Sequence, residues 1–195
     1  MNSKRGFTLV ELMVVVAIIG VLGTALLPQV TGLVEKAKAS KIISLVDTLR
    51  TACAGYYSDV GAYPYEYAAP TYTGAGNHRL SIAQPTISAW AGPYLHTILS
   101  WGDNPYVNLI LVYSNINNWY TALGTAGFDL DNDGTTDTAS NAGNFVVFYS
   151  IPLTVAQRVN NLIDGDTTTN ANWMTQGQVE YRNSAYLSVY LQGGR

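Results

Sequence analysis

The stretch from Leu12 to Val34 holds 23 residues without a charged side chain. As a helix rising 1.5 Å per residue it spans about 34 Å, enough for a bilayer core of about 30 Å. Lys4 and Arg5 precede it, so the positive-inside rule places the N-terminus in the cytoplasm and the rest outside. Only 12% of the chain is charged, against about 25% in an average soluble domain, but the deficit is local. Of four Phe, four Trp and 14 Tyr, only Phe7 precedes Tyr56. One end suits lipid or helix packing, and the other is an aromatic-rich globular head. Two plainer readings of the apolar run are a secretory signal and a simple anchor. Gly23-Thr24-Ala25 is a poor cleavage site. Glu11, an ionisable group at the edge of the run, has no role in either.

The helical pattern continues past the bilayer length. Val30, Leu33, Val34, Ala37, Ile42, Leu45, Val46, Leu49, Ala52, Cys53 and Tyr56 recur at steps of three and four. Charged residues mostly take the other faces. A helix over residues 7–57 is therefore expected, apolar all round in its first half and amphipathic in its second, with that second half against the head. Gly20 and Gly23 are weak helix formers, and Pro28 lacks a backbone donor, so a kink or a break is expected there. The single cysteine, Cys53, rules out an intrachain disulfide and reads as a small buried hydrophobe.

Lys4-Arg5-Gly6 followed by Phe7-Thr8-Leu9-Val10-Glu11 and the apolar run resembles the class III leader junction of type IV pilins and type II secretion pseudopilins. The resemblance is close over about residues 1–35. It implies a leader of residues 1–6, cut by a prepilin peptidase between Gly6 and Phe7, with N-methylation of the new terminus. It implies three parts: the leader, a helix over 7–57 with 7–34 in the membrane or filament core, and a head over 58–195 with a connecting loop region. It implies a helical polymer of this chain and other pilins, with Phe7, Glu11, Gly20 and Pro28 serving assembly. The segment between Gly20 and Pro28 is expected to melt in the filament, or else to remain a static kink. In that scheme Glu11 pairs with the terminal amine of a neighbouring subunit, since a close ion pair is far less costly in an apolar setting than two lone charges. An inner-membrane assembly platform and a separate ATPase complete the implied partners. The implied locations are the inner membrane for the precursor, then an extracellular pilus or a periplasmic pseudopilus. A pilus subunit is the first reading, a secretion pseudopilin the second, and a membrane-anchored binding protein that does not polymerise the third.

The expected fold class is α+β, pilin-like: a long helix packed on an antiparallel sheet. Gly55 and the run from Tyr56 to Pro64 are expected to end the helix, with Gly61 and Pro64 as turn residues, and the stretch resembles the helix exit of pseudopilins and some pilins. Residues 65–105 are long for a structureless loop, so a short helix is expected near Ile87–Trp101. Strands are expected at Tyr106–Tyr113, Asn144–Ile151, Gln178–Arg182 and Ala185–Leu191, the last two joined at Asn183-Ser184. Thr154 to Gln157 reads as a capping box opening a helix that ends near Ile163.

Asp129, Asp131, Asp133, Thr135 and Asp137 are spaced like the first nine positions of a calcium loop, with Gly134 at the sixth. Ser140 stands where an EF-hand has its bidentate Glu, so the loop is a candidate for structural Ca2+ but is not an EF-hand. A hydrated acidic turn is the competing reading. No catalytic constellation is present: His78 and His96 lack recognisable partner spacing, and Asp164 and Asp166 flank a glycine as helix-closing residues do. No enzyme activity is expected. Residues 51–195 carry four arginines against ten carboxylates, a poor surface for nonspecific nucleic acid.

Overall fold

The computed structural model of the chain describes residues 6–68, 74–115, 127–131, 133, 135, 137–138, 142–165, 171–182 and 185–193; for 25–28, 142, 171 and 172 it describes the backbone alone. Helix α1 runs from Leu9 to Val60, 52 residues or about 78 Å. It is unbroken through Gly20, Gly23 and Pro28 in the single chain. It stops at Gly61, whose φ of 72° is the left-handed conformation that ends helices. The Gly61 N–H donates to the Tyr57 carbonyl at 2.9 Å, satisfying one of the last free acceptors.

The structure divides into two units, one ending at Ala37 and one beginning at Lys38. In the first, the apolar side chains described between Leu9 and Leu22 are exposed, and the helix is long and apolar enough to cross a membrane. In the second, Ala39, Ile42, Val46, Leu49, Cys53 and Tyr56 form a fully buried stripe. The spacing that suggested an amphipathic second half is the spacing that packs.

The sheet has five antiparallel strands: β1 (Glu66–Ala68), β2 (Ile110–Asn115), β3 (Ala142–Phe148), β4 (Val179–Arg182) and β5 (Tyr186–Gly193). Their order is β1-β2-β3-β5-β4. Alternation sorts β3: Val146 and Phe148 join the stripe of α1 in the main core, whereas Phe145 and Val147 face a second cluster with Phe128. Helix α2 (Leu153–Ile163) adds Val155, Ala156 and Val159 to the main core. The α+β architecture expected from the sequence is the one formed.

Four local expectations are corrected. First, residues 87–101 do not form a helix. Their backbone donors go elsewhere: the Leu80 carbonyl accepts from Tyr94 N (2.8 Å) and Leu95 N (2.9 Å), and Pro93, in the middle of the stretch, has no donor. Only a 3-10 turn, Trp101–Asp103, forms at the end of this stretch. Second, the strand placed at Tyr106 starts at Ile110, because Val107 adopts φ 50° in a tight turn. The strand placed at Asn144–Ile151 likewise ends at Phe148, before Ser150 at φ 59°. Third, Thr154 does not cap α2. Pro152 is the N-cap, its carbonyl taking the N–H groups of Val155 and Ala156, which puts Thr154 inside the helix. Fourth, His78 has a partner. Its Nδ1 lies 3.0 Å from Glu66 Oε1, and both residues are buried.

Strand β1 was not foreseen. Asp164 does close α2, its N–H on the Asn160 carbonyl, and His96 is exposed. The expected turn at Asn183-Ser184, and Asp166, lie outside the described residues.

Candidate functional site: the start of the long helix

Gly6 and Phe7 precede α1 in irregular backbone, and Phe7 is 84% exposed. The peptide bond between them is therefore presented outside regular structure. Thr8 is the residue before the helix. Its N–H donates to Glu11 Oε2 at 2.8 Å and its hydroxyl to the same oxygen at 2.7 Å. The Glu11 N–H in turn lies 3.3 Å from Thr8 Oγ1. This reciprocal arrangement is a capping box, satisfying donors that a helix start leaves open. It also gives a carboxylate beside an apolar segment two hydrogen bonds within its own chain. The sequence carried the signal, since Thr8-Leu9-Val10-Glu11 has the Thr-x-x-Glu form; the reading of Glu11 as an intersubunit partner passed over it.

Gly20 and Gly23 have open space where a Cβ would stand. The side chain of Pro28 lies outside the described atoms. Glu11 and Gly20 thus lie on the first half of α1, with Phe7 just before it, where the described side chains from Leu9 to Leu22 are exposed.

The acidic loop is a second candidate site. Carboxylate oxygens of Asp129, Asp131 and Asp137 come within 4.8 Å of one another, with Asp129 buried. Asp137 Oδ2 accepts from Leu130 N (2.6 Å) and Asp131 N (3.1 Å), which folds the loop back on itself. Asp133 turns to Thr135, accepting from its hydroxyl (2.5 Å) and its N–H (2.7 Å). Those two bonds hold the Asp133 carboxyl below the usual carboxylate range. Three of the five loop residues converge, and the other two pair with each other. The convergent donors are all carboxylate oxygens, the ligands a hard cation such as calcium takes. Cys53 is buried, and burial with the nearby Glu66 charge pushes its thiol pKa up, which suits packing and not reactivity.

Residues 1–27 match the family model described as the prokaryotic N-terminal methylation motif. The chain is 41% identical over 66 residues to the fimbrial protein EcpC of Eikenella corrodens, covering 34% of this chain and 43% of that one. It is 43% identical over 63 residues to the type II secretion system core protein G of Escherichia coli, covering 32% and 43%. A fimbrial protein of Neisseria meningitidis serogroup B is 32% identical over 119 residues, covering 60% and 62%. The matches thus cover roughly half the length of these curated relatives. No solved structure matches the chain. The chain thus carries the N-terminal methylation motif at its head, with a long helix and an antiparallel sheet behind it, and over about a third to three-fifths of its length it is similar to fimbrial proteins and to type II secretion system core protein G.

Proposed function

We propose that this chain is the precursor of a filament subunit of the type IV pilus kind. A prepilin peptidase cuts between Gly6 and Phe7, the new terminus is methylated, and the subunit polymerises through α1. The observation that carries this reading is the exposed apolar face of a helix that bears the methylation motif. Such a surface needs lipid first and neighbouring helices afterwards. In the precursor Glu11 is held by Thr8. After cleavage the α-amine of Phe7 is free, and the Glu11 carboxylate of one subunit pairs with the amine of the next, fixing the axial register. The head stays on the non-cytoplasmic side and forms the outside of the fibre. Intact-mass and peptide mass spectrometry of the mature protein tests processing: the expected N-terminus is methyl-Phe7, and a retained Gly6 overturns it. Glu11→Gln is expected to leave membrane insertion intact and abolish filaments; filaments at wild-type levels refute the pairing.

The match to type II secretion core protein G favours a second reading, a secretion pseudopilin. The longer stretch of similarity to a fimbrial protein supports the pilus. Long surface filaments favour the pilus, and loss of secretion without them favours the pseudopilin. A processed chain that stays monomeric supports the third reading, a membrane-anchored binding protein.

For the acidic loop we propose structural calcium held by Asp129, Asp131 and Asp137, drawing together carboxylates that otherwise repel. Calcium titration with thermal melts tests it. A rise in Tm that Asp131→Asn abolishes is expected, and no shift at saturating calcium refutes it.

A further inference from the structure

The loop from Ile98 to Leu109 holds three large apolar side chains out in solvent: Ile98 at 46% exposure, Trp101 at 40% and Val107 at 67%. Its backbone is tightly clamped. Ser100 N–H and Oγ–H both donate to Asp103 Oδ2, at 2.8 and 3.0 Å. The buried Asn104 amide donates to the Leu109 and Tyr149 carbonyls, and its Oδ1 accepts the Tyr106 N–H at 2.9 Å. Val107 sits at φ 50°, which is rare for a β-branched residue. Strained backbone held this firmly is found where a side chain must be presented in one place. Here the strain sets an apolar side chain against water.

The loop grips the first residues of the globular unit. The Lys38 ammonium lies 3.9 Å from the centroid of the Tyr106 ring, and Lys41 Nζ donates to the Gly102 carbonyl at 2.7 Å. Lys38 follows Val34, the last residue of the charge-free run, by four positions, so the covalent chain alone keeps it within about 14 Å of the end of that run. With residues 12–34 in the bilayer, the chain therefore enters the globular unit close to the membrane surface. The charge distribution agrees. The globular part is acidic, yet Lys38 and Lys41 both reach this loop, and no lysine follows Lys41 in the sequence. Asp103, the acid of the loop, is occupied by Ser100. Trp and Tyr with flanking lysines and exposed aliphatic tips make the composition of a membrane–water interface: rings at headgroup level, ammonium groups at the phosphates, methyl groups below.

We propose that this loop is an interfacial anchor, with Trp101 and Val107 inserted at the headgroup–acyl boundary of a phospholipid bilayer and Lys38 and Lys41 facing its phosphates. The occupant is the lipid surface of the precursor state, and assembly withdraws the loop from it. This rests on the membrane-anchored reading of the N-terminal segment.

The test uses the full chain in vesicles of phosphatidylethanolamine and phosphatidylglycerol, with a nitroxide on Val107→Cys and, separately, on Leu162→Cys, which is comparably exposed on α2. Cys53 is fully buried, and wild type supplies the labelling blank. Flotation with the vesicles reads the membrane anchor. Collision with oxygen, compared with a water-soluble nickel complex, reads the loop. The expected result is a floating chain in which position 107 is several-fold less accessible to nickel than position 162. Quenching of tryptophan emission by brominated lipid should also fall in Trp101→Phe. A floating chain with equal accessibility at 107 and 162 overturns the loop anchor and leaves the membrane reading standing. A chain that does not float overturns both. Protection of position 107 that appears only in assembled filaments assigns the loop to a neighbouring subunit and overturns the proposal.

Discussion

Replacing Glu66 with leucine removes an acceptor on which three donors converge inside the globular unit. The side chain is fully buried, and its oxygens take the Leu80 N–H at 2.9 Å, the Ser81 hydroxyl at 2.7 Å and His78 Nδ1 at 3.0 Å. Leucine has a similar volume, so little cavity term enters. Ser81 is half-exposed and recovers a bond to water. Leu80 N–H and His78 are buried and do not. At about 1–3 kcal/mol for each stranded buried group, the expected loss is about 2–6 kcal/mol. That is a large part of the total for a domain whose stability is about 5–15 kcal/mol. The loss also spreads, because the Leu80 carbonyl holds Tyr94 and Leu95, and the segment at His78 covers the free edge of β1 through its bridge to Glu66. Urea unfolding of the full chain in detergent measures it. Trp90 is a local reporter, its indole N–H being on the Arg79 carbonyl at 2.8 Å. His78→Leu alone leaves the carboxylate short of a partner, so the double variant should cost less than the sum of the singles. A loss below about 1 kcal/mol for Glu66→Leu, with an unchanged m-value, refutes the reasoning.

Three further outcomes are expected. Gly177→Ala should destabilise by about 2–4 kcal/mol in the same assay, since φ is 88° and a Cβ there meets Asp164 Oδ2 at 2.5 Å, disturbing its bonds to Gln178 N and Val179 N; a cost below about 0.5 kcal/mol contradicts that geometry. Stability should fall as pH rises above 9, because unfolded Cys53 loses its proton near the ordinary value of 9.0 while burial keeps the native thiol protonated. The raised native pKa makes this contribution complete below pH 9 and lost above it, with a slope of about 1.4 kcal/mol per pH unit that Cys53→Ala should remove. Thr8→Val should keep the helix but weaken its first turn by about 1 kcal/mol, seen as faster amide exchange at Glu11 and Leu12, whose N–H groups lie on Thr8 Oγ1 and the Thr8 carbonyl; unchanged exchange counts against the capping box.

The N-terminal half was legible from residue order. A charge-free run, a helical stripe from Val30 to Tyr56 and a Gly61 stop are local patterns, and local patterns specify a helix whether or not anything packs on it. The strands at Asn144 and Gln178 were legible for the same reason, through alternation and β-branched content. Their partners were not: the order β1-β2-β3-β5-β4 pairs residues as far apart as Gly143 and Gly193, and no window of sequence contains that information.

The misreadings share a cause. Ile87 to Trp101 had length enough for a helix, but its donors found the distant Leu80 carbonyl. His78 had no motif partner, but folding brought it to Glu66, a carboxylate in a strand too short to recognise. Of the acidic loop, spacing proposed five residues, and folding converged three of them. Sequence alone thus determined which segments become helix or strand and which surface needs lipid or neighbours, because those depend on periodicity along the chain. The tertiary structure decided which polar groups meet in the interior, because a buried donor takes whatever acceptor the fold carries to it.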